Sequence, residues 1–327
     1  MMAFMPKSWS ATLILLAFTA LCVPIGAQNK TSPPIQSITP VVVSPPQLTE
    51  KTSVENPIPD IAAMMRDVEA NQRKAETIQK DYIYRSVETQ HELDSHGQIK
   101  KTTVTESDHF WVNGVPVRRV VTKDGKPLTP DEVSKENERI DKVTAKAREK
   151  REKADAQGKE TDPRGNEEIT VSRVLELGTF TNPRRVQLDG RDAIAVDYTG
   201  DPKAKTRNRA EEVIRDLAGT IWVDEQDHLL ARVEGHFLNA FKIGGGLIAS
   251  VQKNTRFSMS QTKVNGEVWL PARLEGQGSF HALLFFGFNG SGQIVNSDYR
   301  KFRATSTILP GVTQVDGPQS KDGAAHP

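Results

Sequence analysis

The sequence predicts an α+β domain built on antiparallel hairpins. Three observations carry that reading. The dipeptides Asn113-Gly114, Asp124-Gly125, Asp189-Gly190 and Asn265-Gly266 fall between β-like runs, and Asn, Asp and Gly accept the positive φ that tight hairpin turns need. Residues 229–237 alternate, with Leu229, Ala231, Val233, Gly235 and Phe237 facing one way and Leu230, Arg232, Glu234 and His236 the other. That is the period of a strand with one dry face and one mainly polar face. Segments of helical pattern, the third observation, interrupt the strand runs.

The domain opens with a helix. Asp60 is placed to cap it, and Ile61, Met64, Met65, Val68 and Ile78 form a rough apolar face. Strands are expected over 82–93 and 99–112, flanking Ser95-His96-Gly97, and over 115–121. Further strands pair 185–188 with 193–198, 220–223 with 229–237, and 257–264 with 268–274. The last expected hairpin joins 280–288 to 294–302 through Asn289-Gly290-Ser291-Gly292. In 280–288 both parities are largely apolar, Phe280, Ala282, Leu284, Phe286 and Phe288 against Leu283 and Phe285. Such a strand is covered on both faces or lines a hydrophobic cavity.

Thr129-Pro130-Asp131-Glu132 reads as a capping box with proline at the first helical position. It starts a charged helix over about 129–158. Within 131–160, 18 of 30 residues are charged, nine of each sign, so no broad apolar face exists and the helix projects from the domain or lies loosely on it. Glu138/Lys142 and Glu149/Lys153 sit four apart and support it. Shorter helices are expected over 167–177 and 208–217.

The ends are different in kind. Residues 1–27 read as a secretory signal: Lys7 in a short basic region, an uncharged apolar stretch over 9–23, Pro24, then Gly26-Ala27 as the cleavage point. If the signal is retained, the chain stays at the membrane. Cys22 is the sole cysteine. Leu21 before it disfavours lipidation, and cleavage after Ala27 leaves no thiol for disulfides, catalysis or metal. Residues 28–56 form a proline-rich linker, with Pro33, Pro34, Pro40, Pro45 and Pro46, which cannot bury enough surface to order itself. The domain spans 57–308, and 309–327 is a disordered tail.

Composition excludes several functions. The chain carries 43 Lys+Arg against 42 Asp+Glu, and loss of Lys7 with the signal leaves 42 of each. No basic surplus remains to displace counterions from nucleic acid. No later apolar run reaches the ~18 residues of a membrane span. His91 and His96 lie five apart, where a zinc-protease helix needs four. Ser250 and Lys253 match S-x-x-K without its companion motifs. Gly244-Gly245-Gly246 lacks the G-K-[ST] of a phosphate loop. No catalytic residue, metal or cofactor is assigned. Trp111, Trp222 and Trp269 read singly as sheet core and together, with the 280–288 phenylalanines, as lining for an apolar ligand.

Gly219-Thr220-Ile221-Trp222-Val223-Asp224 followed by Leu229-Leu230-Ala231-Arg232-Val233, and the unit Asn265-Gly266-Glu267-Val268-Trp269-Leu270-Pro271, resemble the LolA/LolB-like periplasmic lipoprotein-carrier superfamily. The resemblance covers roughly 60–305. It implies a strongly curved, half-open antiparallel sheet, an incomplete barrel, with helices on its concave side. It also implies a non-enzymatic exported, periplasmic protein that holds a lipid, an acyl chain or a lipoprotein in the concavity, in lipoprotein or lipid trafficking. Burial of apolar ligand surface at about 25 cal/mol per Å² would drive such binding. An envelope protein-interaction or stress-sensor domain on the same fold is the alternative, and a hydrolase with dispersed residues the third. Strand parity names Trp222, Phe280, Leu284, Phe286 and Phe288 as the cavity residues.

Overall fold

The computed structural model describes residues 48–50, 57–159, 161–243, 249–253, 255–282 and 286–302. Its helices are α1 (Ile61–Gln79), α2 (Pro130–Asp155), α3 (Val171–Leu177) and α4 (Arg209–Arg215). Four strands run through the first half: β1 (Leu48–Glu50), β2 (Tyr82–Leu93), β3 (Ile99–Val112) and β4 (Val115–Lys123), with the short β5 (Lys126–Pro127) after them. Next come β6 (Gly178–Leu188), β7 (Arg191–Gly200), β8 (Leu217–Asp224), β9 (Leu229–Phe237) and the short β10 (Phe241–Ile243) and β11 (Ala249–Val251). The last three are β12 (Arg256–Val264), β13 (Val268–Ala282) and β14 (Phe286–Lys301).

Among the described residues the strands form one fourteen-stranded sheet in the order β1-β6-β7-β8-β9-β12-β13-β14-β2-β3-β4-β5, with β10 and β11 beside β13. The pairings are antiparallel throughout. Most neighbours are consecutive hairpins, and β14 returns to pair with β2. The order ends on β1 and β5, so the sheet is curved and half-open. The expected turns hold: Asn113 and Gly114, Asp124 and Gly125, Asp189 and Gly190, and Asn265 and Gly266 all have positive φ. Leu48–Glu50, inside the expected linker, pairs with β6 as its edge strand.

Two expectations are corrected. Asn289-Gly290-Ser291-Gly292 is no turn; it lies within β14, paired to Ser279, Gly278, Gln277 and Gly276 of β13. Of the expected strand over 280–288, Phe280 to Ala282 therefore close β13 and Phe286 to Phe288 open β14. Glycines recur across the sheet at this level. Gly219↔Gly235, Gly235↔Phe257, Phe257↔Gly276 and Gly276↔Gly292 are successive partners across five strands. A Cβ on Gly219 would stand 1.9 Å from the Glu234 carbonyl oxygen, which only glycine avoids. The alternation over 229–237 is also broken. Trp222 pairs with Arg232 but Val223 with Leu230, a bulge at Ala231 that puts Leu230 on the face of Val233.

Helices α1, α3 and α4 pack on the same face of the sheet. Met64, Met65 and Val68 of α1, and Val171, Val174 and Leu177 of α3, meet Ile194, Val196, Ile221, Val223, Val233 and Phe237 in the largest cluster. Asp60 caps α1, its Oδ1 accepting from the Ala63 N–H at 2.7 Å. The capping box of α2 is complete: Thr129 N–H donates to Glu132 Oε2 at 2.9 Å and Glu132 N–H to Thr129 Oγ1 at 3.4 Å. This charged helix lies on β3 and β4 through one narrow stripe. Its Ile140 and Ala147 pack with Val115 and Val117, flanked by Phe110 and Val112, and Thr144 closes its own backbone at Ile140 O.

Candidate functional site

The second half of α1 and the middle of α2 touch the sheet on one side, through Ala75 and Ile78 and through Ile140, and stand off it on the other. They roof a cavity of about 330 Å³. Spacing explains the roof: Gln72, Glu76 and Gln79 fall on one face of α1, and Arg139, Ile140 and Val143 on one face of α2, and all six line the cavity. The floor comes from β2–β4 and β12–β14, with Phe110, Trp111, Val117, Met259, Leu270, Leu274 and Ile294 as its apolar part. The size falls at the lower end of the range for small-molecule sites, ~300–1,000 Å³.

The rest of the floor is polar. Strand alternation turns Tyr84, Ser86 and Glu88 of β2 to one side, opposite His109, Ser107 and Thr105 of β3. The Tyr84 and His109 rings stack at 4.7 Å, 7° from parallel, and His109 Nε2 meets Ser86 Oγ at 2.9 Å. Arg118 Nη1 donates to the buried Glu88 Oε2 at 2.7 Å. Arg139 donates to Glu136 at 2.7 and 2.8 Å and also to the Arg118 carbonyl. Asn296 Nδ2 donates to Pro271 O at 2.9 Å. Asn296 Oδ1 and Glu76 Oε2 are buried with no partner among the described residues.

Removal from water sets the titration of this lining. Burial pushes the Glu76 carboxyl up to about 7, with Asp162 adding to the rise and Lys80 and Arg73 opposing it. Burial holds the His109 imidazole down to about 3, helped by the Arg118 and Arg164 cations. Tyr84 is raised to about 12 by burial. Near neutral pH, His109 is therefore an uncharged hydrogen-bonding ring, and Glu76 is the one group poised between its two forms.

The opposite face of β7–β14 carries a wide polar groove of about 930 Å³. Ile221 faces the helices, and its neighbours Thr220 and Trp222 face away. In the groove, Arg184 donates to Asp197 at 3.0 Å and Arg273 to Glu275 at 2.8 Å, and Arg232 donates to Glu234. These charges are mutually satisfied, and the groove is more open than the cavity.

Of the cavity residues that parity named, Trp222 stands away from this cavity. Trp222 is 5% exposed in a closed cluster with Ala195, Leu229, Ala231 and Trp269, with Arg232 stacked at 5.7 Å from its ring. It is not among the residues bordering the cavity. Phe280 ends β13, and Phe286 and Phe288 begin β14, where Phe280 pairs with Phe288; Leu284 lies outside the described residues, as do Gly244-Gly245-Gly246. From Leu274 and Ile294 at the cavity, that hairpin end is six residues, about 20 Å, further along the strands. Of the tryptophans, Trp111 lines the cavity, and the Trp269 indole donates to Asp227 Oδ2 at 2.8 Å. His91 Nδ1 meets Thr102 Oγ1 at 2.9 Å, a cross-strand pair. No group of three or more metal-ligating side chains occurs among the described residues. Parity missed Tyr84, Ser86 and His109 because an inward-facing polar row reads like a solvent face.

No protein-family model matches the sequence, and no curated protein matches it. The chain is similar to three solved structures. One is a DUF1329 family protein from Desulfovibrio piger, 9% identical over 74% of this chain and 92% of that one, TM-score 0.30. Another is a LolA superfamily protein from Nitrosomonas europaea, 12% identical over 72% and 93%, TM-score 0.25. The third is MucB in complex with MucA(peri), 10% identical over 74% and 99%, TM-score 0.20. At these scores the fold assignment rests on the strand order and register described above.

Proposed function

We propose that this chain is a non-enzymatic exported protein that holds a hydrophobic ligand, a lipid or a lipoprotein acyl chain, in the concavity of its sheet. The observation that supports it is the partly enclosed cavity beneath α1 and α2, floored by Trp111, Leu270, Leu274 and Ile294. An apolar concavity roofed by helices binds by removing ligand surface from water and needs no catalytic group. The ends of β13 and β14, with Phe280, Phe286 and Phe288 and with Leu284 between them, are a second apolar contact in this proposal. Trp222 enters the proposal only as a support for the sheet, through its cluster with Ala195, Leu229, Ala231 and Trp269. The reading agrees with the carrier superfamily that the sequence resembles, and a periplasmic location goes with it.

The test is direct. The chain is expressed with its own signal in a bacterial periplasm, purified without detergent, and examined by native mass spectrometry and solvent extraction. A co-purifying or added lipid bound at one per chain is expected. A clean apo mass that ignores fatty acids and phospholipids would sink the reading. The second reading, an envelope-protein partner, is favoured by the polar groove on β7–β14, whose ordered rows of charge suit a protein surface. One stoichiometric protein partner without lipid would move the assignment there.

A further inference from the structure

Three guanidinium groups border the cavity, those of Arg118, Arg139 and Arg164. Two are committed: Arg118 to Glu88 at 2.7 Å and Arg139 to Glu136 at 2.7 Å. Arg164 is different. Its main-chain N–H donates to Asp162 Oδ1 at 2.8 Å, but its guanidinium makes no hydrogen bond or ion pair with any described residue. Asp162 acts on it only through space. Both oxygens of that carboxylate accept elsewhere, from the Arg164 and Asn166 N–H groups and from Asn166 Nδ2.

The backbone that carries Arg164 is built to hold it there. Asp162-Pro163-Arg164-Gly165 is a β-turn closed by Gly165 N–H to Asp162 O at 2.8 Å, with proline at its second position. A bridge between Thr161 and Glu167 ties its ends. Gly165 has φ +74, and a Cβ there would stand 2.5 Å from Lys150 Cβ and 2.8 Å from Ala147 O, so the turn is seated against α2. Lys150 Nζ clamps it further on Asn166 Oδ1 at 3.0 Å. A rigid turn thus presents a cation beside Tyr84 and His109, and removal from water holds that guanidinium below its ordinary value. Arg164 is half-buried, and a cation partly withdrawn from water without a partner is costly. Arginine's planar fork matches the oxygens of a carboxylate or phosphate.

We infer that Arg164 anchors the oxyanion head of a single-chain amphiphile whose tail fills the cavity. This rests on the proposed ligand-binding function and narrows its ligand class. A cavity of about 150 Å³ takes up benzene. By that scale the 330 Å³ here accommodates roughly a dozen carbon atoms. Glu76, the one carboxyl in the lining, sits on the α1 roof and does not appear among the groups acting on Arg164.

The experiment is isothermal titration of the purified, delipidated chain with dodecanoate, dodecyl phosphate and dodecanol, for wild type, Arg164→Gln and Arg164→Lys. Wild type is expected to bind at least one of the anions about 10- to 100-fold more tightly than the alcohol, the range of a charge-assisted hydrogen bond. The preferred anion identifies the head as carboxylate or phosphate. R164Q should lose that preference while keeping its affinity for dodecanol, which also shows that it is folded; R164K should keep part of it. Equal affinity of wild type for all three ligands would leave the cavity assignment standing and remove the anchor. A preference that survives R164Q would remove it too. Failure of all three to bind wild type would overturn the cavity reading itself, and the anchor with it.

Discussion

Helix α1 covers two regions of one sheet, and they are built in opposite ways. Under its first half, Met64, Met65 and Val68 meet Ile194, Val196, Ile221 and Val223, all nearly inaccessible. Under its second half, Gln72, Glu76 and Gln79 look across a cavity at Tyr84, Ser86, His109 and Asn296. The first region is a close-packed core, where every methylene has neighbours. The second is held apart by polar side chains whose hydrogen bonds must be kept and by α2, whose buried residues on the sheet are only Ile140, Thr144 and Ala147 and whose other contacts there are polar, such as Glu136 with Val120 N–H and Arg139 with the Arg118 carbonyl. The same helix thus serves stability at one end and access at the other.

The largest effect that separates the two regions is a truncation in the closed one. Ile194→Ala should cost about 2–5 kcal/mol in denaturant melts, the range for a fully buried isoleucine that leaves a cavity. A loss below about 1 kcal/mol would show that this region is not close-packed.

Next comes pH. Glu76 is raised from its ordinary range to about 7, so its contribution is fully present below about 4.5 and is lost as pH rises to 7. Above that, wild type is less stable by up to about 3 kcal/mol. Glu76→Gln should recover much of this at pH 8 in thermal or denaturant melts. His109 runs the other way: held down to about 3, it contributes fully above about 6.5 and its contribution is lost as pH falls. Between 4.5 and 6.5 the two slopes oppose each other. Wild type should be nearly flat there, and the Glu76→Gln variant should gain stability with rising pH at up to about 1.4 kcal/mol per unit. A flat variant would show that His109 is not shielded from water.

The smallest stability effect belongs to the cavity floor. Ile294→Ala should cost about 1 kcal/mol, because the side chain already borders open space and strands fewer contacts when removed. Its larger consequence should be weaker retention of dodecanoate, measured by titration. Stability losses of equal size at Ile194 and Ile294 would erase the contrast between the regions.

The parts legible in the sequence were those with local causes. Asn113-Gly114, Asp189-Gly190 and Asn265-Gly266 announce turns because their side chains set the backbone's allowed φ. Asp60 and Thr129 announce helix starts because the donors they satisfy lie within three residues. Asn289-Gly290-Ser291-Gly292 misled for a related reason. A glycine needed for a turn and one needed for close strand approach look alike until the partner strand is known.

The sequence by itself therefore determined most of the antiparallel hairpins, the four helices and the near-neutral charge balance, since each depends on propensity, period or composition. Tertiary structure decided which side of β2 and β3 became interior, where α1 borders a cavity, and that the Arg164 guanidinium was left without a partner among the described residues. Those outcomes depend on side chains far apart in the chain, such as Gln72 on the roof and Asn296 on the floor of the same cavity. No local pattern encodes them, because burial is a property of the assembled layers and not of the residue.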